Sequence, residues 1–380
     1  MKNLAILVVL VAVIALVAFF GFRQSGFFGL PANASGQDSV KIGVMLALTG
    51  DAAIYGESVG NPLELAREEI NAQGGILGKK IEFVVEDSAC NANAGVKAMN
   101  SLVNLKGMKI VISGDCSGPT LAAAPIAEQQ KVLFLVAVAS NPDIKNAGEY
   151  AFRVMPSDAL QGKDLAMLLF KKGFSRPAIL FMDNAYGKGI EIVFSEEFAK
   201  LNGTIAEKQM VNQADADFRT PLLKIKESNP DSLLIVGYPQ MYQIAIKQFF
   251  EVGLNVQIFA SETFKDSELL KALGEKANGI IFTNPAESNS ANFLQFKENY
   301  KKKFGKDIGP YGDFGYDALF VLKAGIEQAK SFDPEVLKKS FYGLDYNGVT
   351  GETKFDSFGE VDKPYGVMAV NDLQFVKYNG

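Results

Sequence analysis

Histidine and tryptophan are absent from the 380 residues, and cysteine occurs twice. Without histidine the chain cannot build a Ser-His-Asp or Cys-His nucleophile, the usual zinc sites, or the commonest acid–base group. Phosphate-binding loops are missing as well. Gly187-Lys188-Gly189 lacks a third glycine, and Gly78-Lys79-Lys80 lacks the leading glycine and the Ser/Thr of a P-loop. No G-x-S-x-G nucleophile turn occurs. The net charge is −5 with lysine and arginine spread along the chain, which excludes a basic nucleic-acid footprint. The acidic pairs Glu68-Glu69 and Glu196-Glu197 fall in helical patterns, where a solvated face is the ordinary role. The expectations are no enzyme, no metal, no cofactor and no nucleic acid.

What is present is a globular composition, 48% apolar and 21% charged, long enough for two domains. It is preceded by an apolar stretch. Residues 4–22 carry no charge until Arg23, and as a helix they reach about 28 Å, close to the hydrocarbon core of a bilayer. A signal anchor over 1–23 with a tether over 24–39 is the first reading; cleavage after Ala32-Asn33-Ala34 is the second. No cysteine lies nearby, so a lipidated cysteine is excluded. Either reading puts the rest of the chain on the extracytoplasmic face of the cell membrane, anchored or released. There Cys90 and Cys116 can keep a disulfide, with a reactive thiol as the alternative.

From Val40 onward apolar strands alternate with helical patterns. Val40-Lys41-Ile42-Gly43-Val44-Met45-Leu46, Ile81-Glu82-Phe83-Val84-Val85, Lys109-Ile110-Val111-Ile112 and Val132-Leu133-Phe134-Leu135-Val136 read as strands. Asn61-Pro62 reads as the cap of the first helix, which could also begin a turn earlier. The alternation restarts at Pro177-Ala178-Ile179-Leu180-Phe181-Met182 and runs through Leu233-Leu234-Ile235-Val236 and Val256-Gln257-Ile258-Phe259-Ala260. Continuous apolar strands between helices predict α/β lobes with doubly wound parallel sheets, whose ligands bind beyond the carboxyl ends of the strands. The stretch Ile112-Ser113-Gly114-Asp115-Cys116-Ser117-Gly118-Pro119-Thr120 is such an end. A helix N-terminus with a serine there suits a small carboxylate, although an ordinary strand–helix turn explains it equally.

Several short segments then stand in a familiar order: Ile42-Gly43-Val44 with Leu48-Thr49-Gly50 and Tyr55-Gly56; Ile70-Asn71-Ala72-Gln73-Gly74-Gly75-Ile76-Leu77-Gly78; Glu86-Asp87-Ser88-Ala89-Cys90; Phe152-Arg153-Val154; and Asp183, Tyr186-Gly187 and Asp217-Phe218. From Val40 onward the chain resembles the leucine/isoleucine/valine-binding proteins, branched-chain amino-acid receptors of ABC transporters with the type I periplasmic-binding fold. The resemblance implies two lobes, 40–157 plus 287–361 and 158–286 plus 362–380. They would be joined by three crossovers near Ser157-Asp158, Asn284-Ala286 and Gly359-Pro364.

It also implies a site. Ser117, beside Cys116, would take an α-carboxylate together with the backbone at Ser140. The α-ammonium would meet the Ser140 hydroxyl, the Val138 carbonyl and Glu262. Tyr55, Tyr186 and Tyr238 would close over the side chain, and Asp158 would orient the network. The bland readings are rim or core aromatics for the tyrosines and a helix N-cap for Asp158. Val138, with no proline before it, and Gly118-Pro119 depart from the family's pattern at the pocket wall. The implied function is a monomeric extracytoplasmic receptor that binds a free aliphatic amino acid between its lobes and delivers it to an ABC permease. A receptor for an amide, urea or aromatic acid, or an extracellular sensor, is the alternative.

Overall fold

Strands whose every residue is apolar need cover on both faces, and this requirement sets the architecture. The computed structural model describes residues 38–50, 52–114 and 116–378. The chain divides into Met1–Asp38 and Ser39–Gly380, and the description here is of the second part. The expected membrane segment lies outside the described residues; no helix among those described is long and apolar enough to cross a membrane.

Five parallel strands form the first sheet: β1 (Ser39–Leu46), β2 (Lys80–Asp87), β3 (Ile110–Gly114), β4 (Leu133–Val136) and β5 (Ala151–Arg153), in the order β2-β1-β3-β4-β5. Helices α1 (Ala53–Ala72), α2 (Ala92–Asn100) and α3 (Ser117–Gln129) connect them. Successive β1 side chains point to opposite faces, so Ile42, Val44 and Leu46 enter one core while Met45 enters another with Met99, Val111 and Phe134.

The chain then leaves through 154–157 into α4 (Asp158–Lys171) and builds a second sheet. Its parallel part comprises β6 (Ala178–Met182), β7 (Glu207–Val211), β8 (Ser232–Val236), β9 (Gln257–Ala260) and β10 (Ile281–Pro285). Helices α5 (Ala185–Lys200), α6 (Arg219–Glu227), α7 (Pro239–Glu251) and α8 (Ser267–Leu273) join these strands.

After β10 the chain returns. Helices α9 (Ala291–Phe304), α10 (Gly312–Ala329) and α11 (Pro334–Tyr342) put Phe296, Leu319, Leu322 and Phe341 into the first sheet's core. A small hairpin, β11 (Tyr346–Gly348) and β12 (Gly351–Thr353), follows. The last passage, near 361–364, carries the chain back to β13 (Tyr365–Asn371) and β14 (Gln374–Lys377). These two strands are antiparallel, so the second sheet is mixed, in the order β14-β13-β10-β9-β8-β6-β7. The three passages touch: the Ala286 amide donates to the Pro364 carbonyl (2.9 Å) and the Tyr365 hydroxyl to that of Pro156 (3.3 Å).

Two local expectations change. Asn61-Pro62 does not cap α1, which begins at Ala53 and keeps Pro62 inside it. Proline removes one helical hydrogen bond, but the helix around it is buried from Ser58 to Leu63 and packs against α10, so burial outweighs local propensity. Asp158 is not the cap of α4 either: Ser157 holds that position and its hydroxyl accepts from the Ala159 amide (3.2 Å). The Asp158 side chain is thereby left for another partner.

Candidate functional site

The parallel strands of the two sheets point carboxyl ends at the space between them, and the side chains found there follow six of those ends, β1, β3, β6 and β8 flanking the topological switches. β1 leads to Tyr55 on α1; β3 to Cys116 and Ser117; β4 to Val138, Ala139 and Ser140. From the other side β6 leads to Tyr186, β8 to Tyr238, and β9 to Glu262 and Thr263. With Tyr311, just before α10, these residues line one cavity of about 370 Å³, mouth included. That is at the small end for a ligand site and suits a molecule of amino-acid size.

The side facing the first sheet is made of neutral groups. Cys116 is tied to Cys90 by a disulfide with Cα atoms 5.4 Å apart, which braces the loop where α3 begins. Ser117 is the first residue of α3, so it sits among the unpaired amides of a helix start. Its hydroxyl accepts from the Asn141 amide (3.3 Å). The Ser140 hydroxyl donates to Asp158 Oδ2 (2.9 Å). Arg153, fully buried, donates to the Asn141 carbonyl (2.8 Å) and pairs with Glu360, which fixes the loop from behind.

The side facing the second sheet is charged. Glu262 is 2% exposed and accepts hydrogen bonds from Gln161 and from the Tyr186 hydroxyl (2.8 Å). The Ser261 hydroxyl lies 2.7 Å from that of Tyr186 and 2.8 Å from that of Tyr242. Burial pushes the Glu262 carboxyl up to about 7, against the downward pull of its Gln161 and Tyr186 hydrogen bonds. Burial, and then the Glu262 charge, push Asp158 well above the usual carboxylate range. The one buried guanidinium near them, Arg153, is already committed to Glu360. Among the described residues two buried carboxyls therefore share a site with no cation of its own, an arrangement that favours a positive group on whatever enters.

Aromatic rings form the rest of the wall. Tyr238 stacks on Tyr186 (centroids 5.6 Å, 17°) and meets Tyr55 edge-on (5.7 Å, 62°); Tyr55 packs against Tyr311 (5.8 Å). The Tyr55 hydroxyl and Asp158 Oδ1 are buried and make no hydrogen bond within the described protein, so both have capacity left for a guest. The two sides also meet directly, since Asn141 Nδ2 donates to the Ala185 carbonyl (2.6 Å). Gly189 permits that approach: a Cβ there would stand 2.6 Å from Asn141 Nδ2.

Of the residues read from the sequence, Tyr55, Cys116, Ser117, Val138, Ser140, Tyr186, Tyr238 and Glu262 line this single cavity, and Asp158 stands behind Ser140. Ala139, Thr263, Gln161 and Tyr311 were not read from it. Tyr311 had a signal: Gly309-Pro310-Tyr311-Gly312 is a turn before a helix, and Tyr311 has a left-handed backbone (φ 61°). Among the described residues no cluster of His, Cys, Asp and Glu could hold a metal ion.

A profile of the periplasmic binding protein family matches residues 39–374, nearly the whole described chain. The chain belongs to the periplasmic binding protein family. It is 29% identical to the Leu/Ile/Val-binding protein of Escherichia coli K12 over 339 residues, 87% of this chain and 90% of that protein. Among solved structures it is similar to a leucine binding protein from Thermotoga maritima, with TM-score 0.84 and 28% identity over 89% of this chain and 97% of that one. It is also similar to a branched-chain amino-acid transporter substrate binding protein from Streptococcus pneumoniae in complex with isoleucine. There the TM-score is 0.81 and the identity 25%, over 89% of this chain and 98% of that one. The parallel α/β lobes read from the strand alternation, and the type I periplasmic binding fold implied by the resemblance, are thus the fold of the molecule.

Proposed function

We propose that this periplasmic binding protein is an extracytoplasmic receptor for a free aliphatic amino acid, which it hands to an ABC permease. The observation that carries the reading is the polarity of the cavity. One end has hydroxyls and a helix start suited to a carboxylate; the other has Glu262 and Asp158 without a counter-cation. A zwitterion satisfies both ends, and the aromatic wall with Val138 receives an apolar side chain. The named ligands of the similar proteins, leucine, isoleucine and valine, have this form.

In detail, Ser117 and the backbone at Ser140 take the carboxylate. The Ser140 hydroxyl, the Val138 carbonyl and Glu262 take the ammonium. Tyr55, Tyr186, Tyr238 and Tyr311 enclose the side chain. The lobes 40–157 plus 287–361 and 158–286 plus 362–380 hinge at the three passages, and the monomer works as a non-enzymatic carrier, held at the membrane by residues 1–23 or released from it. An amide, urea or aromatic acid leaves Glu262 without a cation, and this counts against those ligands. Isothermal titration decides: leucine, isoleucine or valine binds saturably, while benzoate and acetamide do not. Tight binding of benzoate with no response to any of the three amino acids overturns the reading.

A further inference from the structure

A second cavity lies in the first-sheet part of the molecule, away from the one between the sheets. It is about 1100 Å³, mouth included, between the end of α1, the start of α9, α10 and β11. Its aromatic residues are Phe296, Tyr316, Phe320 and Tyr346, and Phe296, Tyr316 and Phe320 form a run of tilted rings with neighbouring centroids 4.3 and 4.8 Å apart. One charged side chain, Glu69, lines it. Glu69 is held by the Asn299 amide (2.9 Å) and the Tyr316 hydroxyl (2.5 Å). Among the described residues no lysine or arginine pairs with it, whereas its neighbour Glu68 pairs with Lys303. The remaining rim is carboxamide, from Gln73, Asn292, Gln295 and Asn299.

This combination discriminates among guests. An anion is repelled by Glu69. A hydrocarbon strips water from Glu69 and the carboxamides and returns no hydrogen bonds. A bare divalent cation is held mainly by several carboxylates, and Glu69 is the one carboxylate that lines this cavity. A cation with methyl groups neutralises Glu69 and lies against ring faces, each such contact contributing about 0.5–2 kcal/mol. We infer that this cavity is a second binding site, for an organic ammonium cation, with Glu69 as the counter-charge and Tyr346 and Phe320 as ring faces. The local field agrees: burial, then the charge and hydrogen bond of Glu69, raise the Tyr316 phenol, and burial, then Asp317, raise that of Tyr346.

The site is independent of the amino-acid reading. The test titrates the full chain with choline and with its neutral carbon isostere 3,3-dimethylbutan-1-ol, followed by ligand-observed NMR saturation transfer and calorimetry. Choline is expected to bind saturably in the millimolar range or tighter, with the isostere at least tenfold weaker. Glu69→Gln is expected to weaken choline at least tenfold while the response to leucine is unchanged. Equal binding of the two probes, no choline response up to 100 mM, or unchanged choline affinity in Glu69→Gln overturns the inference. Should Glu69→Gln fold poorly, the two probes on the unaltered chain and Tyr346→Ala decide alone, Tyr346→Ala being expected to weaken choline several-fold.

Discussion

The two walls of the cavity between the sheets use different chemistry for the same task. On the first-sheet side the polar groups are hydroxyls and backbone amides, which water or a neighbour satisfies cheaply: Ser117 accepts from Asn141 and Ser140 donates to Asp158. On the second-sheet side the working group is a carboxyl, 2% exposed, beside another fully buried one. A neutral wall is nearly indifferent to being empty. A charged one is not, because a buried carboxyl without a cation either takes up a proton or destabilises the fold. The second wall is therefore where folding and protonation are coupled and, on the proposed function, where ligand binding joins them.

The largest break in this asymmetry is Glu262→Ala. Truncating one partner of a buried charge pair costs about 2–5 kcal/mol, so leucine affinity is expected to fall about a hundredfold or more by calorimetry. The ligand-free variant Glu262→Gln is expected to melt higher than the parent at pH 8, since the burial cost is gone. Lower melting in Glu262→Gln would mean that its hydrogen bonds from Gln161 and Tyr186 outweigh the cost of burying the charge. Next comes Ser117→Ala, on the neutral wall. It removes one hydrogen bond to a charged group, about 1.5–3 kcal/mol, and is expected to weaken leucine about ten- to a hundredfold. A loss equal to that of Glu262→Ala would erase the contrast.

Per unit of change, the smallest effect is that of pH. Glu262 in the empty protein is raised to about 7, and an ammonium beside it favours the ionised form. Binding below that value therefore releases a proton, and affinity falls by up to about tenfold per pH unit as pH drops through it. The same shift works oppositely on the empty fold. A carboxyl raised from its ordinary value of 4.5 to about 7 stabilises the protein at low pH and loses that contribution as pH rises across this window. Calorimetry in two buffers of different ionisation enthalpy at pH 6 measures the released proton. Affinity that is flat from pH 8 to 5 would show the ammonium bound elsewhere.

The strand ends were legible because apolar strands and the small residues after them are local patterns. Leu46, Gly114, Val136, Met182, Val236 and Ala260 all end their strands at or within a residue or two of where the sequence places them. Pro62 was misleading because local propensity names it a cap, while the burial that keeps it inside a helix comes from α10, some 250 residues on. Tyr311 escaped notice for a similar reason: it follows no strand and reaches the cavity through the return of the chain to the first sheet. Gln161 lies on a helix with nothing to set it apart until Glu262 is seen beside it. The place of the antiparallel hairpin β13–β14 at the edge of the second sheet depends on register with β10, which no local pattern specifies.

The return of the chain has a consequence for how the molecule comes to be folded. The first sheet is spelled out by residue 153, but the helices that cover one of its faces arrive with residues 291–342, and the second sheet waits for β13 at residues 365–371. One face of the first sheet is packed by residues 45–151 alone, but the other keeps part of its apolar surface uncovered through most of synthesis, and contacts this distant in sequence form slowly. A polypeptide with some of its stabilising partners so far apart does not complete its fold until nearly all of it has been made. That state suits threading through a narrow export channel, with collapse deferred to the far side.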